Sequence, residues 1–295
     1  MDAQLLLQLI LPGLTTGCVY ALVALGFVLC ANVSGVVNFA QGEFVMLGGV
    51  AAAWLIGQHV AVVPAMLIAA ALGTAVGALQ EWATLGPVRR QPHFIQITTT
   101  VGYAAALRGI TLIIAGKDPL SIPGFSGDRM LNLFGAFFPV QSLWVWGATA
   151  LLLLGTFAFL DFTRTGRAVR ACSINLQAAR LMGVNAERLR VMVFAASGAT
   201  GAVAGVVITP IVLASWDAGV GYSIKGFIGA ILAGFRSPGA AVLGGLGIGL
   251  LETLSAGYIS SGWQDFIVYG ALLAYLLLRG GVFQRGRVAL PISGR

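Results

Sequence analysis

The chain has 295 residues, of which 58% are hydrophobic and only 9% charged, with a mean hydropathy of +0.92 and a formal net charge of +7. Water-soluble domains carry about 25% charged residues, so this composition excludes one and points to an integral membrane protein. The basic excess flanks apolar runs with no aromatic-basic surface, which argues against nucleic acid and leaves the anionic headgroups of the bilayer as its ordinary partner.

Long apolar runs follow one another from residue 4 to residue 279. Each good one approaches the roughly 20 residues needed to cross a hydrocarbon core about 30 Å thick, and none alternates as a barrel strand does. The first, 5–31, is too long for the apolar part of a signal peptide and is read as a retained helix. The second, 36–57, opens with GVVNFAQGEFVMLGG, which sets Asn38, Gln41, Gly42 and Glu43 in apolar surroundings. At helical spacing Asn38 and Gln41 share a face while Glu43 points elsewhere. Two readings stay open: these groups cap a helix start near an interface, or they line or gate a translocation path, since an ionisable group at membrane depth faces a cavity or a partner. Glu81 and Glu252, also in apolar runs, fit an inward-facing polar network.

Runs at 61–84 and 94–115 follow, separated by Arg89 and Arg90. The connection 117–129 balances Lys117 and Arg129 against Asp118 and Asp128, and the next run covers 139–160. Between Asp161 and Arg190 lie Arg164, Arg167, Arg170, Arg180, Arg188 and Arg190 against two acids. In this segment Asn175 is placed to cap a short helix, Ala178, Leu181 and Met182 give it an apolar face, small Ala178 and Ala179 allow close approach, and Gly183 can end it. The remaining runs are 191–214, 226–235, 239–257 and 264–279, before a tail with Arg279, Arg285, Arg287 and Arg295. The seventh run is short and is broken after about ten residues by Arg236, Pro238 and Gly239. Such an interruption is the sequence pointer to a discontinuous helix near a transport site.

The expected fold is therefore all-α, a polytopic membrane bundle of about eight to nine segments, some discontinuous, forming one transmembrane domain over residues 1–295. The positive-inside bias places the 161–190 loop, the Arg89–Arg90 turn and the basic tail in the cytoplasm, and the neutral 117–129 connection outside. The N-terminus is then outside and the C-terminus inside. The 41 glycines include the pairs Gly13 and Gly17, Gly73 and Gly77, Gly201 and Gly205, and Gly245 and Gly249, spacings that permit close helix approach.

Neither Lys117 nor Lys225 closes a phosphate-binding loop, so any ATP and Mg belong to another subunit. No serine, histidine and carboxylate arrangement suggests a nucleophilic enzyme, and His59, His93, Cys18, Cys30 and Cys172 lack metal-ligand spacing. The cysteines are read as reduced and structural.

The run GCVYALVALGFVLCANVSGVVNFAQGEFVMLGG, from Gly17 to Gly49, resembles the opening of LivH-type permeases, the membrane subunits of branched-chain amino acid ABC importers. The loop GRAVRACSINLQAARLMGVN, from Gly166 to Asn185, resembles that family's cytoplasmic coupling segment, a pattern shared with ribose-type permeases. KGFIGAILAGF followed by PGAAVLGG, which carries Gly226, Gly234, Pro238 and Gly239, resembles its C-terminal region. After Gly49 this chain has Val50 where the family often has an alanine and tyrosine pair. The resemblance implies a second related permease subunit, two cytoplasmic ABC ATPase subunits that bind ATP and Mg, and a periplasmic substrate-binding protein. It implies branched-chain amino acids or another small organic solute as cargo and the inner membrane as location. The alternative is a self-sufficient secondary transporter or channel, which would need a coupling-ion site of its own.

Overall fold

The computed structural model describes residues 3–235 and 237–284. Arg236 and the tail arginines Arg285, Arg287 and Arg295 lie outside the described residues, as does the C-terminus whose placement they were used to argue.

The chain runs through α1 (Ala3–Ser34), α2 (Gln41–Gly57) and α3 (Val62–Leu79), which continues through a π-helical turn (Gln80–Leu85) into the single turn α4 (Gly86–Val88). Next come α5 (His93–Ala115), a hairpin of β1 (Met130–Leu133) and β2 (Ala136–Pro139), and α6 (Gln141–Phe162). Two shorter helices, α7 (Arg164–Ile174) and α8 (Leu176–Leu181), lead to α9 (Ala186–Ile208), α10 (Ala218–Leu232), α11 (Pro238–Tyr258) and α12 (Gln264–Gln284). Seven of the described helices are long and apolar enough to cross a membrane. The all-α polytopic expectation holds, and each of the nine apolar runs contains a helix.

Three boundaries differ from the sequence reading, for one reason. The run 36–57 becomes helical only at Gln41, because Gly35 stops α1 at φ +77° and the Asn38 side-chain Oδ1 accepts the Ala40 N–H at 3.1 Å. The run 191–214 leaves the helix after Ile208, and α10 starts at Ala218, before the apolar run at 226. Hydropathy marks what is buried in lipid or protein, and irregular backbone buried in protein scores the same as a helix. The result is two short helices, α2 with 17 residues and α10 with 15. At 1.5 Å per residue they rise about 26 and about 22 Å, less than a full crossing.

Glycine decides which helices touch. A Cβ on Gly249 would collide with the backbone of Gly17, and one on Gly13 would lie 3.1 Å from the Gly249 carbonyl oxygen, so α1 and α11 pack antiparallel through two of the glycine pairs read in the sequence. Gly73 and Gly77 of α3 meet Gly198 and Phe194 of α9 in the same antiparallel manner. Gly201 and Gly205 face Phe44 and Val45, which brings α2 and α9 side by side and parallel. Close backbone approach replaces the hydrophobic drive that lipid does not supply between helices. The hairpin caps one end of the bundle. Its edge is held by Gln8, whose amide donates to the Phe137 carbonyl at 2.9 Å and accepts the Phe137 N–H at 2.8 Å.

Gly205→Val is expected to cost about 3 kcal/mol or more, because the new side chain must displace the α2 backbone. Gly155→Ala, whose Cβ meets open space, should be neutral or slightly stabilising, by up to about 1 kcal/mol. Thermal unfolding of the detergent-solubilised chain would measure both.

Candidate functional site

The α2 and α9 helices run in parallel, and Gln41 at the start of α2 sits against Ser197, about midway along α9. The first turn of α10 meets the same place: Gly219 lies against Glu43, and the Ser223 hydroxyl accepts the Gly42 N–H at 2.9 Å. Beyond this point α10 runs beside α1, with Gly226 on Val23 and Phe227 on Phe27, opposite in direction to α2. Two short helices thus begin in the middle of the bundle and diverge toward its two ends.

The residues from Asn38 to Glu43 form the joint. The Asn38 amide donates to Gln80 Oε1 at 3.0 Å and accepts from Gln80 Nε2 at 2.6 Å, a reciprocal pair made with the π-helical turn. Phe39 N–H donates to the Thr100 hydroxyl at 3.2 Å, tying the joint to α5. Gln41 Oε1 accepts from the Ser197 hydroxyl at 2.8 Å. The Ser223 hydroxyl also donates to the Phe39 carbonyl at 3.2 Å. Glu43 Oε1 lies 3.3 Å from Arg108 Nε. Asn38 and Gln41 are fully buried and Glu43 is 1% exposed. Four neighbouring residues therefore bond to four different helical elements, and all face protein. Asn38 shapes the entry to α2, and Gln41 and Glu43 are buried against protein.

The other intramembrane acids find partners too. Glu81 Oε1 is 2.8 Å from Arg89 Nη2 and 3.4 Å from Arg190 Nε, and Arg89 also reaches Glu187 at 2.8 Å. Glu252 takes Lys225 at 2.5 Å and the Tyr20 hydroxyl at 2.8 Å, and Lys225 reaches Asp265 at 3.1 Å. These pairs lock α3 to α9, and α10 to α11 and α12.

The region Gly226, Gly234, Pro238 and Gly239 is placed differently from the sequence reading. Gly226 packs on α1, where a Cβ would strike Val23. Gly234 and Phe235 adopt positive φ of 63° and 56°, Ser237 accepts the Ala240 N–H at 3.4 Å, and Pro238 starts α11. This is a turn between two antiparallel helices. The interruptions in mid-bundle are at Gln41 and Ala218, which share no proline.

In the basic segment Gly166 sits tightly under the end of α6, against the Phe159 carbonyl, and Arg170 pairs with Asp161 while Arg167 is exposed. Asn175 accepts the Ala178 N–H at 3.0 Å and caps α8, as its position predicts. Gly183 ends α8 at φ +86°, and Asn185 caps α9 by accepting the N–H groups of Glu187 and Arg188 at 3.2 and 3.1 Å. Leu181 and Met182 are 88% and 85% exposed beside exposed Ala178, and Ile174, which the sequence reading missed, joins them. Ala179 is the correction: it is buried and belongs to the bundle's own core, in the cluster that includes Cys30, Leu189 and Phe194. Residues i and i+1 lie about 100° apart on a helix, so Ala178 and Ala179 do not share a face. The three cysteines are unpaired and buried.

Sequence reasoning also missed Gln80, Thr100, Arg108, Ser197 and Ser223. Arg108 left a signal, a lone arginine in the apolar run 94–115. Gln80 and the hydroxyl groups left none.

A model of the family described as "Branched-chain amino acid transport system / permease component" matches residues 9–277. The chain belongs to this family. It is 30% identical to the high-affinity branched-chain amino acid transport system permease protein LivH of Salmonella typhimurium, over 92% of this chain and 93% of that protein. It is 29% identical to the corresponding protein BraD of Pseudomonas aeruginosa, over 92% and 94% of the two chains. The ribose import permease protein RbsC of Escherichia coli is 26% identical over 83% of this chain and 74% of its own. No solved structure matches. The chain is thus a multi-pass membrane permease component.

Asn38→Ala should cost about 1–3 kcal/mol, because it strands the buried Gln80 amide. The double change Asn38→Leu, Gln80→Leu should cost less than Asn38→Ala alone, since no orphan remains. Unfolding midpoints of the purified chain compare the two.

Proposed function

We propose that this chain is the permease subunit of an ATP-driven importer that moves branched-chain amino acids, or a similar small organic solute, across the bacterial inner membrane. It pairs with a second related permease, carries two cytoplasmic ABC ATPase subunits, and receives cargo from a periplasmic binding protein. ATP and Mg are held by the ATPase subunits. The N-terminus and the hairpin face the periplasm, and α7 and α8 face the cytoplasm.

One observation carries the reading. The two short helices α7 and α8 between two spans leave Ile174, Leu181 and, just past the end of α8, Met182 exposed among arginines. Large apolar side chains held this exposed at the basic end of a membrane bundle suit insertion into a groove of a partner protein. Ala179 buries the other side of α8 in the core cluster that also holds Cys30 of α1 and Phe194 of α9, a route by which force applied at Leu181 and Met182 would enter the bundle. The substrate class is inferred from the LivH and BraD relatives, which are permease proteins of branched-chain amino acid transport systems. A self-sufficient carrier has no use for such a surface.

The isolated chain should show no saturable ATP binding. Leu181→Glu and Met182→Glu should leave it folded and inserted while each removes about 2 kcal/mol of ATPase association, read as loss of co-purified ATPase subunits. Ala179→Trp should instead destabilise the chain itself by about 1–3 kcal/mol through overpacking. Normal ATPase recovery and uptake with both glutamate variants would reduce the segment to a topological anchor.

A further inference from the structure

The bundle is open along the seam between α6 and α9, where a cavity of about 340 Å³ lies. Its floor is buried apolar surface from four helices, with Leu25 of α1, Leu160 of α6, Val169 of α7 and Leu189 of α9. Its rim is exposed, formed by Leu151 on α6 and Met192 on α9. Hydroxyl groups in the wall are engaged within the chain: Thr156 donates to the Leu152 carbonyl at 2.8 Å, Thr200 to the Ser197 carbonyl at 3.0 Å, and Ser197 to Gln41 Oε1 at 2.8 Å. The wall therefore suits an apolar occupant. Along α9 the cavity is lined from Leu189 to Thr200, a rise of about 17 Å at about 1.5 Å per residue. That is close to the depth of one leaflet, half of a hydrocarbon core about 30 Å thick. A partner helix about 10 Å across would need about 1,300 Å³ over the same length, so the cavity is too narrow for one. A single extended acyl chain fits.

One end of the cavity is basic. Thr165 and Leu189 line it there, and their neighbours in sequence, Arg164 and Arg188, are exposed. The acids close by are engaged elsewhere, Asp161 with Arg170 and Glu187 with Arg89, and neither Arg164 nor Arg188 has an acidic partner among the described residues. We propose that the cavity is a site for one anionic phospholipid, with an acyl chain along α9 and its phosphate against Arg164 and Arg188. Arginines at such a position keep their charged ends at the interface while their stems cover apolar surface. Charge selects the headgroup: phosphatidylglycerol brings a net negative charge to two unpaired arginines, whereas phosphatidylcholine sets an ammonium beside its phosphate and gains little from them. With α7 and α8 in the cytoplasm, as in the permease reading above on which this point rests, the lipid comes from the cytoplasmic leaflet. Val169 and Leu189 on the cavity floor belong to the same core cluster as Ala179. The lipid thereby braces the segment that carries Leu181 and Met182 against α1 and α9.

The test uses the complete complex in phosphatidylcholine vesicles that contain phosphatidylglycerol with a photoreactive acyl chain, and maps the labelled peptides by mass spectrometry. Label is expected on α9 between Met192 and Thr200 and on the facing stretch of α6, with unlabelled phosphatidylglycerol competing about tenfold better than added phosphatidylcholine. The double change Arg164→Gln, Arg188→Gln, at exposed positions, should leave the peptides labelled but erase that preference. Gly155→Trp starts from a position where a Cβ meets open space and fills the cavity, so it should abolish the α9 label. Equal competition by the two lipids, a preference that survives loss of both arginines, or an α9 label unchanged by Gly155→Trp would each overturn the proposal. So would the absence of label from these peptides in the wild-type complex, the result expected if a protein subunit covers the seam. If Gly155→Trp fails to assemble, the arginine variant still decides. Labelling is read without transport, so a negative result leaves the importer reading intact, whereas failure of ATP-dependent uptake in parallel vesicles bears on that reading alone.

Discussion

A helix that begins inside a membrane leaves its first backbone N–H groups without partners, and lipid offers none. Everything distinctive in this bundle follows from having two such beginnings at one place. The N–H of Gly42 is met by Ser223, that of Phe39 by Thr100, and that of Ala40 by Asn38. Each solution recruits a different element, so satisfying the start of α2 also positions α5, α10 and, through Gln80, the end of α3. The amides and carboxylate between Asn38 and Glu43 are therefore the means by which an apolar chain builds irregular backbone at depth. The π-helical turn belongs to the same solution, because it is there that the chain presents Gln80 to Asn38 and Glu81 to Arg89 and Arg190.

Around this joint the packing is governed by backbone contact. Pairs of glycines let α1 lie on α11 and α9 lie between α2 and α3, and the contacts leave no room for even a methyl group at several positions. Large apolar side chains are correspondingly turned outward. Ile113, Leu151, Leu154, Leu277 and Leu278 are all exposed, the arrangement required of a surface that meets lipid. Leu181 and Met182 are equally exposed but lie at the end of α8, between α6 and α9 and outside any candidate span.

The buried ion pairs divide into two kinds. Those made by Glu81 and Glu252 have several partners each and tie helix ends together. The Glu43 pair is single, and like the Glu81 cluster it leaves buried side-chain atoms without a hydrogen-bond partner among the described residues.

Composition and periodicity by themselves determined the class of this protein, its nine apolar runs, the small-residue faces and the caps at Asn175 and Gly183. Each of these depends on nearest neighbours along the chain or on transfer between water and an apolar phase, and local sequence carries both. The tertiary structure alone decided where the helices are broken, because Asn38 needs Gln80, and Gly42 needs Ser223, to make a helix start at depth stable. It decided the partners of Glu43, Glu81 and Glu252 in the same way. It also turned Ala179 inward beside an outward Ala178, and moved the meaningful interruption from Pro238 to Ala218. A buried polar group is stable only when paired, and the pairs here join residues separated by as much as 232 positions, a distance over which no local pattern speaks.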